Sequence, residues 1–145
     1  MNTQGEKFVS SIGCMDGRDR AAIAVLASGY YVDDVCTGPG TVGILAHAGH
    51  PDHVAYTEKF RRQVAVSYGK HGSRTLYVSG HDGCAGHPVE ENEHKSDILA
   101  AAAFARGILA DLGYADMQVV PVWNAPQDGV WTATLLAERL QSNAA

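Results

Sequence analysis

Residues 8–36 read FVSSIGCMDGRDRAAIAVLASGYYVDDVC, and the order of patterns within them decides the fold. Phe8 to Gly13 is a short apolar run of strand length, and it ends in Cys14-Met15-Asp16-Gly17-Arg18-Asp19-Arg20. Ala21 to Ser28 is Ala-rich and helix-prone, Gly29 stops it, and Tyr30 to Cys36 is a second strand rich in Tyr and Val. Strand, loop, helix, strand is the unit from which parallel sheets are built. Working outward, Thr37 to Gly43 (TGPGTVG) is too rich in Gly and Pro to continue the strand and is predicted to be a loop. From Pro51 onward, Val54, Tyr56 or Thr57, Phe60, Val64 and Tyr68 recur every three to four residues, which predicts an amphipathic helix. Thr75 to Ser79 is a third strand, running into Gly80-His81-Asp82-Gly83-Cys84-Ala85-Gly86-His87-Pro88. Glu90 to Leu112 is a long helix with acids in its first turn and Ala100 to Ala103 as helix filler, and Met117 to Val122 is a fourth strand. Gly129 to Gln141 reads as a closing helix with Trp131, Leu135, Leu136 and Leu140 inward. The expectation is an α/β fold: one domain over residues 1–145, with a mostly parallel central sheet of about four strands and helices on both faces.

Composition narrows the function classes. The chain has 145 residues, 46% hydrophobic and 19% charged, and a formal net charge of -5. That charge offers no general attraction for nucleic acid or anionic lipid. No apolar run approaches the roughly 18 residues that a membrane span requires, and Met1 to Lys7 does not resemble a signal peptide. A cytoplasmic protein without nucleic-acid or membrane partners is expected. Three cysteines, an odd number, do not make a disulfide scaffold; in a reducing compartment, spaced Cys and His point to metal or catalysis.

In doubly wound folds, sites form at the carboxyl ends of strands, and both Cys-bearing loops fall there. Cys14, His81 and Cys84 would supply two thiolates and one imidazole to a tetrahedral zinc ion, with a fourth position left for water or a carboxylate. Three protein ligands suit catalysis better than a closed structural site. The bland alternative is a buried thiol, a polar-loop histidine and a chance cysteine.

These two loops resemble the paired signatures of the β-class carbonic anhydrases. Cys14-Met15-Asp16-Gly17-Arg18 matches Cys-x-Asp-x-Arg after the first strand, and His81-Asp82-Gly83-Cys84 matches His-x-x-Cys after a later one. The resemblance covers about Phe8 to Leu112. It implies zinc held by Cys14, His81 and Cys84, a dyad of Asp16 and Arg18, and a homodimer or higher homo-oligomer with active sites near the subunit interface. The implied activity is reversible hydration of carbon dioxide to bicarbonate by metal-bound hydroxide. A zinc ion with two thiolates and a neutral imidazole is formally neutral, so hydroxide needs further stabilisation. Asp16 would accept its hydrogen bond while Arg18 fixes the carboxylate. In a closed state Asp16 would itself be the fourth ligand. The bland reading of Asp16 and Arg18 is a surface ion pair.

The chain departs from the family pattern in several places. Cys36-Thr37-Gly38-Pro39-Gly40-Thr41 stands where the family usually has Arg-Asn-Ala-Gly-Asn, and Ala85-Gly86 where Gly-Gly is common. Only seven residues precede the first strand, too few for the N-terminal helical arm of many relatives. Carbonyl sulfide or carbon disulfide hydrolysis on the same zinc site, or a non-catalytic zinc-binding or regulatory module, are the alternatives.

Other signals carry less weight. Cys14 and Arg20 match the phosphate loop of cysteine phosphatases, but Asp16 and Asp19 would repel a dianion there. Gly38 to Gly43 matches GxGxxG, yet follows the second strand, and a turn that lets backbone approach the metal pocket is preferred. His47, His50 and His53 read as exposed loop histidines, and His87 as a proton shuttle or a group behind the ligands. Cys36 reads as buried filler, Lys59, Arg61 and Arg62 as a solvated helix face, and Tyr56, Phe60 and Tyr68 as core or dimer contacts.

Overall fold

The computed structural model describes residues 7–136. The first strand, β1 (Phe8–Cys14), runs one residue further than its apolar run, so Cys14 is its last residue. Helix α1 (Gly17–Leu26) begins four residues before the predicted start, because Asp16 caps it: the Arg18 backbone N–H donates to the Asp16 carboxylate at 2.8 Å. Asp16 therefore sits at a helix N-terminus, and Arg18, Asp19 and Arg20 lie on its first turn. Strand β2 (Tyr31–Gly38) is followed by a short helix α2 (Thr41–Ala46), where the Gly- and Pro-rich stretch predicted only a loop. Glycine made that turn possible, since Gly40 has φ 64°.

Helix α3 (His53–Gly69) buries His53, Phe60, Val64 and Ser67. Val54, expected inward, is 71% exposed. The true buried stripe starts one residue earlier, at a histidine that a hydrophobic pattern does not count. Strand β3 (Thr75–His81) ends on His81, and helix α4 (Glu91–Asp111) matches its prediction closely. Ala101, Ala102 and Ala105 of α4 are buried in the core, so these alanines are contacts rather than filler.

Strand β4 (Gln118–Gln127) runs well beyond Val122. The predicted closing helix is wrong: residues Val130–Leu135 form strand β5, antiparallel to β4, with Gln127 opposite Val130. Asp128 and Gly129 both have positive φ, at 51° and 79°, as a two-residue hairpin turn requires. Asp-Gly was the available signal, and the spacing of Trp131, Leu135 and Leu136 suits a helix as well as a strand. Of the residues expected inward there, Trp131 is half-buried and Leu135 is exposed; Leu140 lies outside the described residues.

The sheet thus has five strands rather than four, in the order β2-β1-β3-β4-β5, with β1 to β4 parallel. Helix α1 packs on one face, towards β5, β3, β1 and β4, while α2, α3 and α4 pack on the other. Chain direction across the sheet reverses between β1 and β3, which pair directly. That switch opens a crevice at the carboxyl ends of these two strands, where Cys14 and His81 emerge. Among the described residues no helix is long and apolar enough to cross a membrane.

Candidate metal centre

Cys14 closes β1, His81 closes β3, and Cys84 follows on the turn after β3. All three are buried, and one ligating atom from each lies within 4.8 Å of the other two. The two sulfurs are 3.8 Å apart. His81 Nδ1 lies 2.8 Å from the carbonyl of Asp82; donating there fixes the tautomer and leaves Nε2 with a lone pair. That Nε2 is buried without a hydrogen-bond partner. An orphaned imidazole nitrogen facing two thiols is costly unless an electrophile satisfies all three, and this donor set is one that borderline metal ions prefer.

The electrostatics agree. The contact with Cys84 lowers the Cys14 thiol far below its ordinary value, and the same contact pushes the Cys84 thiol up. Opposed shifts follow from two sulfurs 3.8 Å apart competing for protons, and thiol ligands give up protons when a cation binds. Burial works against charge on His81, but its contacts with Cys14 and the Asp82 carbonyl outweigh that and raise its affinity for a proton.

Asp16 and Arg18 form a forked pair beside these ligands. Arg18 Nε donates to Asp16 Oδ1 at 3.0 Å and Nη2 to Oδ2 at 2.7 Å. These bonds hold the Asp16 carboxyl well below the usual carboxylate range. Asp16 Oδ2 is 3.9 Å from His81 Nε2, so an ionised acceptor borders the ligand set while both its oxygens are engaged by Arg18.

Arg20 faces elsewhere. Its guanidinium binds Asp34 at 2.7 Å, Ser11 at 2.9 Å and Asp19 at 2.7 Å, so the phosphate-loop alternative loses its cation. Asp19 is completely buried and also accepts from Ser79 Oγ at 3.0 Å and Asn124 Nδ2 at 2.8 Å. This network ties the first turn of α1 to β3 and β4 next to the Cys-His-Cys group, and a Cβ on Gly13 would collide with it. Sequence reading missed the role of Asp19, which is set by partners 60 and 105 residues away.

The glycine-rich stretch does approach the site. A side chain at Gly40 would strike the backbone of Gly86, and one at Gly43 would strike the His87 ring. His87 Nε2 is 2.6 Å from Asp97 Oδ2, and His47 Nε2 is 3.1 Å from Asp97 Oδ1. His47 is exposed as expected, whereas His53 is buried against the carbonyl of Ile44. Behind them His94, which the sequence did not single out, is buried with an unpartnered Nε2, and burial lowers its pKa to about 4. Cys36 is fully buried, with burial pushing its thiol up to about 11, as suits filler. Of the aromatic residues, Phe60 is in the core and Tyr56 and Tyr68 pack against it.

A mostly parallel α/β sheet with a buried Cys-His-Cys group at its switch point, flanked by a carboxylate–guanidinium pair, defines a class of protein: one that could hold a metal ion beside a poised hydrogen-bond acceptor. A family model described as "putative carbonic anhydrase" matches residues 4–129, and the chain belongs to that family. Solved structures agree on the fold. The chain is similar to the β-carbonic anhydrase CafD of the filamentous fungus Aspergillus fumigatus, at 13% identity over 93% of this chain and 92% of that one, with a TM-score of 0.56. A tetrameric β-carbonic anhydrase from Sordaria macrospora matches at 12% identity, over 92% and 84% of the two chains, with a TM-score of 0.55. A carbonic anhydrase from Streptococcus mutans matches at 16% identity, over 94% and 86%, with a TM-score of 0.50. No curated protein sequence matches the chain.

Proposed function

We propose that the protein is a zinc enzyme that hydrates carbon dioxide reversibly to bicarbonate, with Cys14, His81 and Cys84 as the metal ligands and Asp16 and Arg18 as the catalytic dyad. One observation carries the reading: the buried, unpartnered Nε2 of His81 faces two thiols and has the Asp16 carboxylate 3.9 Å away. When bound, zinc would supply the Lewis acidity that makes hydroxide available near neutral pH.

The chain's own residues do the rest. Two thiolates and a neutral imidazole cancel the charge of a divalent ion, so the site depends on an added acceptor. Asp16 accepts a hydrogen bond from the attacking oxygen and so directs its lone pair at the carbon of carbon dioxide. Arg18 keeps Asp16 ionised and in one rotamer, because its fork occupies both carboxylate oxygens. That pairing supports an open arrangement over one in which Asp16 becomes the fourth ligand. The reading includes a cytoplasmic setting, which thiol ligands favour, and a homo-oligomeric state, as in the tetrameric relatives from Sordaria macrospora.

The test pairs zinc content with stopped-flow carbon dioxide hydration over about pH 6.5 to 9, the range in which such water ionises. Stoichiometric zinc and hydration that Asp16→Ala abolishes without loss of metal are expected. Zinc without hydration would refute the substrate and leave carbonyl sulfide or carbon disulfide hydrolysis, or a non-catalytic module. Protein prepared with zinc in excess that retains none would overturn the ligand set.

A further inference from the structure

The β5 hairpin brings a tryptophan to the Asp16–Arg18 pair. Trp131 stands opposite Pro126 in the β4–β5 register, and the Arg18 guanidinium lies over its indole, 5.1 Å from the ring centroid. The same indole meets the His81 ring edge-on, with centroids 6.3 Å apart. It also borders an apolar cleft of about 230 Å³ together with Ala22, Val25 and Leu26 of α1. Residue 131 lies beyond the family match, which ends at 129.

Arg18 needs such support. Half of its side chain is exposed, and an exposed ion pair on a long flexible side chain is weakly held. Its fork must stay in one orientation for Asp16 to present a defined oxygen to the ligands. An aromatic face against a guanidinium excludes water from one side, adds cation–π attraction and removes competing rotamers.

We propose that Trp131 is a positioning residue, whose indole covers the Arg18 guanidinium and keeps it paired with Asp16 beside the metal ligands. The inference rests on the reading of Asp16 and Arg18 as the dyad, so its test has one arm that needs no turnover. In zinc-loaded, ¹⁵N-labelled protein, the Arg18 Nε–H, assigned by its loss in Arg18→Lys, is followed for exchange with water. Exchange is expected to rise about fivefold in Trp131→Ala, the loss of a contact worth about a factor of five, and to stay near wild type in Trp131→Phe, which keeps an aromatic face. In the hydration assay, kcat should fall by a similar factor in Trp131→Ala with KM little changed, because the indole acts through Arg18. Leu135→Ala, on the same strand and 57% exposed, should move neither quantity.

Unchanged exchange in Trp131→Ala would overturn the proposal, as would an equal rise in Leu135→Ala, which would assign the effect to the strand and not the indole. Faster exchange with an unaltered kcat would also overturn it. Should Trp131→Ala not fold, Trp131→Leu, which keeps apolar bulk in the cleft but has no aromatic face, takes its place with the same expectations. If wild type lacks hydration while exchange still rises, the positioning role stands and the functional reading alone fails.

Discussion

Replacing Asp19 by Asn removes one negative charge from beneath the site and changes almost nothing in shape. Asp19 is fully buried and accepts from Arg20, Ser79 and Asn124 at 2.7, 3.0 and 2.8 Å. In D19N the new amide can still serve Asn124 if that amide rotates, since Asn124 Oδ1 has no partner of its own. Arg20 has no such remedy. It keeps the exposed Asp34 and Ser11 but loses the anion on its buried side. Breaking a buried pair in this way costs about 3 kcal/mol. For a chain of this length that corresponds to a fall of about 10 °C in melting temperature. The internal comparison is Asp34, whose side chain is 49% exposed: D34N removes the other carboxylate on Arg20 and should cost less than about 1 kcal/mol. Urea unfolding of metal-stripped protein measures both without metal masking the difference. Because Asp19 bonds to Ser79, two residues before His81 on β3, and to Asn124, the β4 residue paired with His81, zinc affinity by chelator competition should also fall about tenfold in D19N if His81 is a ligand. Equal unfolding costs for D19N and D34N would refute the reasoning, since burial would then not distinguish the two carboxylates.

Cys84→Ser should lower zinc affinity by more than the roughly 10–100-fold that changes behind the ligands produce, measured by competition on folded protein. Gly43→Ala should destabilise the fold by about 1 kcal/mol or more even though alanine favours helices, because its methyl group would meet the His87 ring; a more stable variant would show that the ring moves freely. His94 sets a pH dependence. Its folded pKa of about 4 lies below the ordinary 6.5, so the unfolded chain takes up a proton first as pH falls, and stability present above about pH 6.5 is lost towards pH 4. The difference between pH 7 and 5 should be about 2 kcal/mol larger in wild type than in His94→Gln, by urea unfolding at each pH.

Local chemistry determined much of this protein. Alternating apolar runs and Ala-rich or amphipathic stretches specified the four parallel strands and the long helices, because these patterns reflect burial of one element at a time. The grouping of Cys14, His81 and Cys84 was legible because thiols and an imidazole in or just after the carboxyl ends of parallel strands are chemically distinctive and converge there. Only the tertiary structure decided the rest. The periodicity after Gly129 suited helix and strand alike, and pairing with β4 chose the strand and so delivered Trp131 to Arg18. Asp19 looked like one more loop acid until β3 and β4 closed over it with Ser79 and Asn124. His47 and His87 likewise meet only because both reach Asp97 on α4. A sequence displays the donors and acceptors that each residue brings; which are buried together, and so must satisfy one another, is settled by packing between segments distant in the chain.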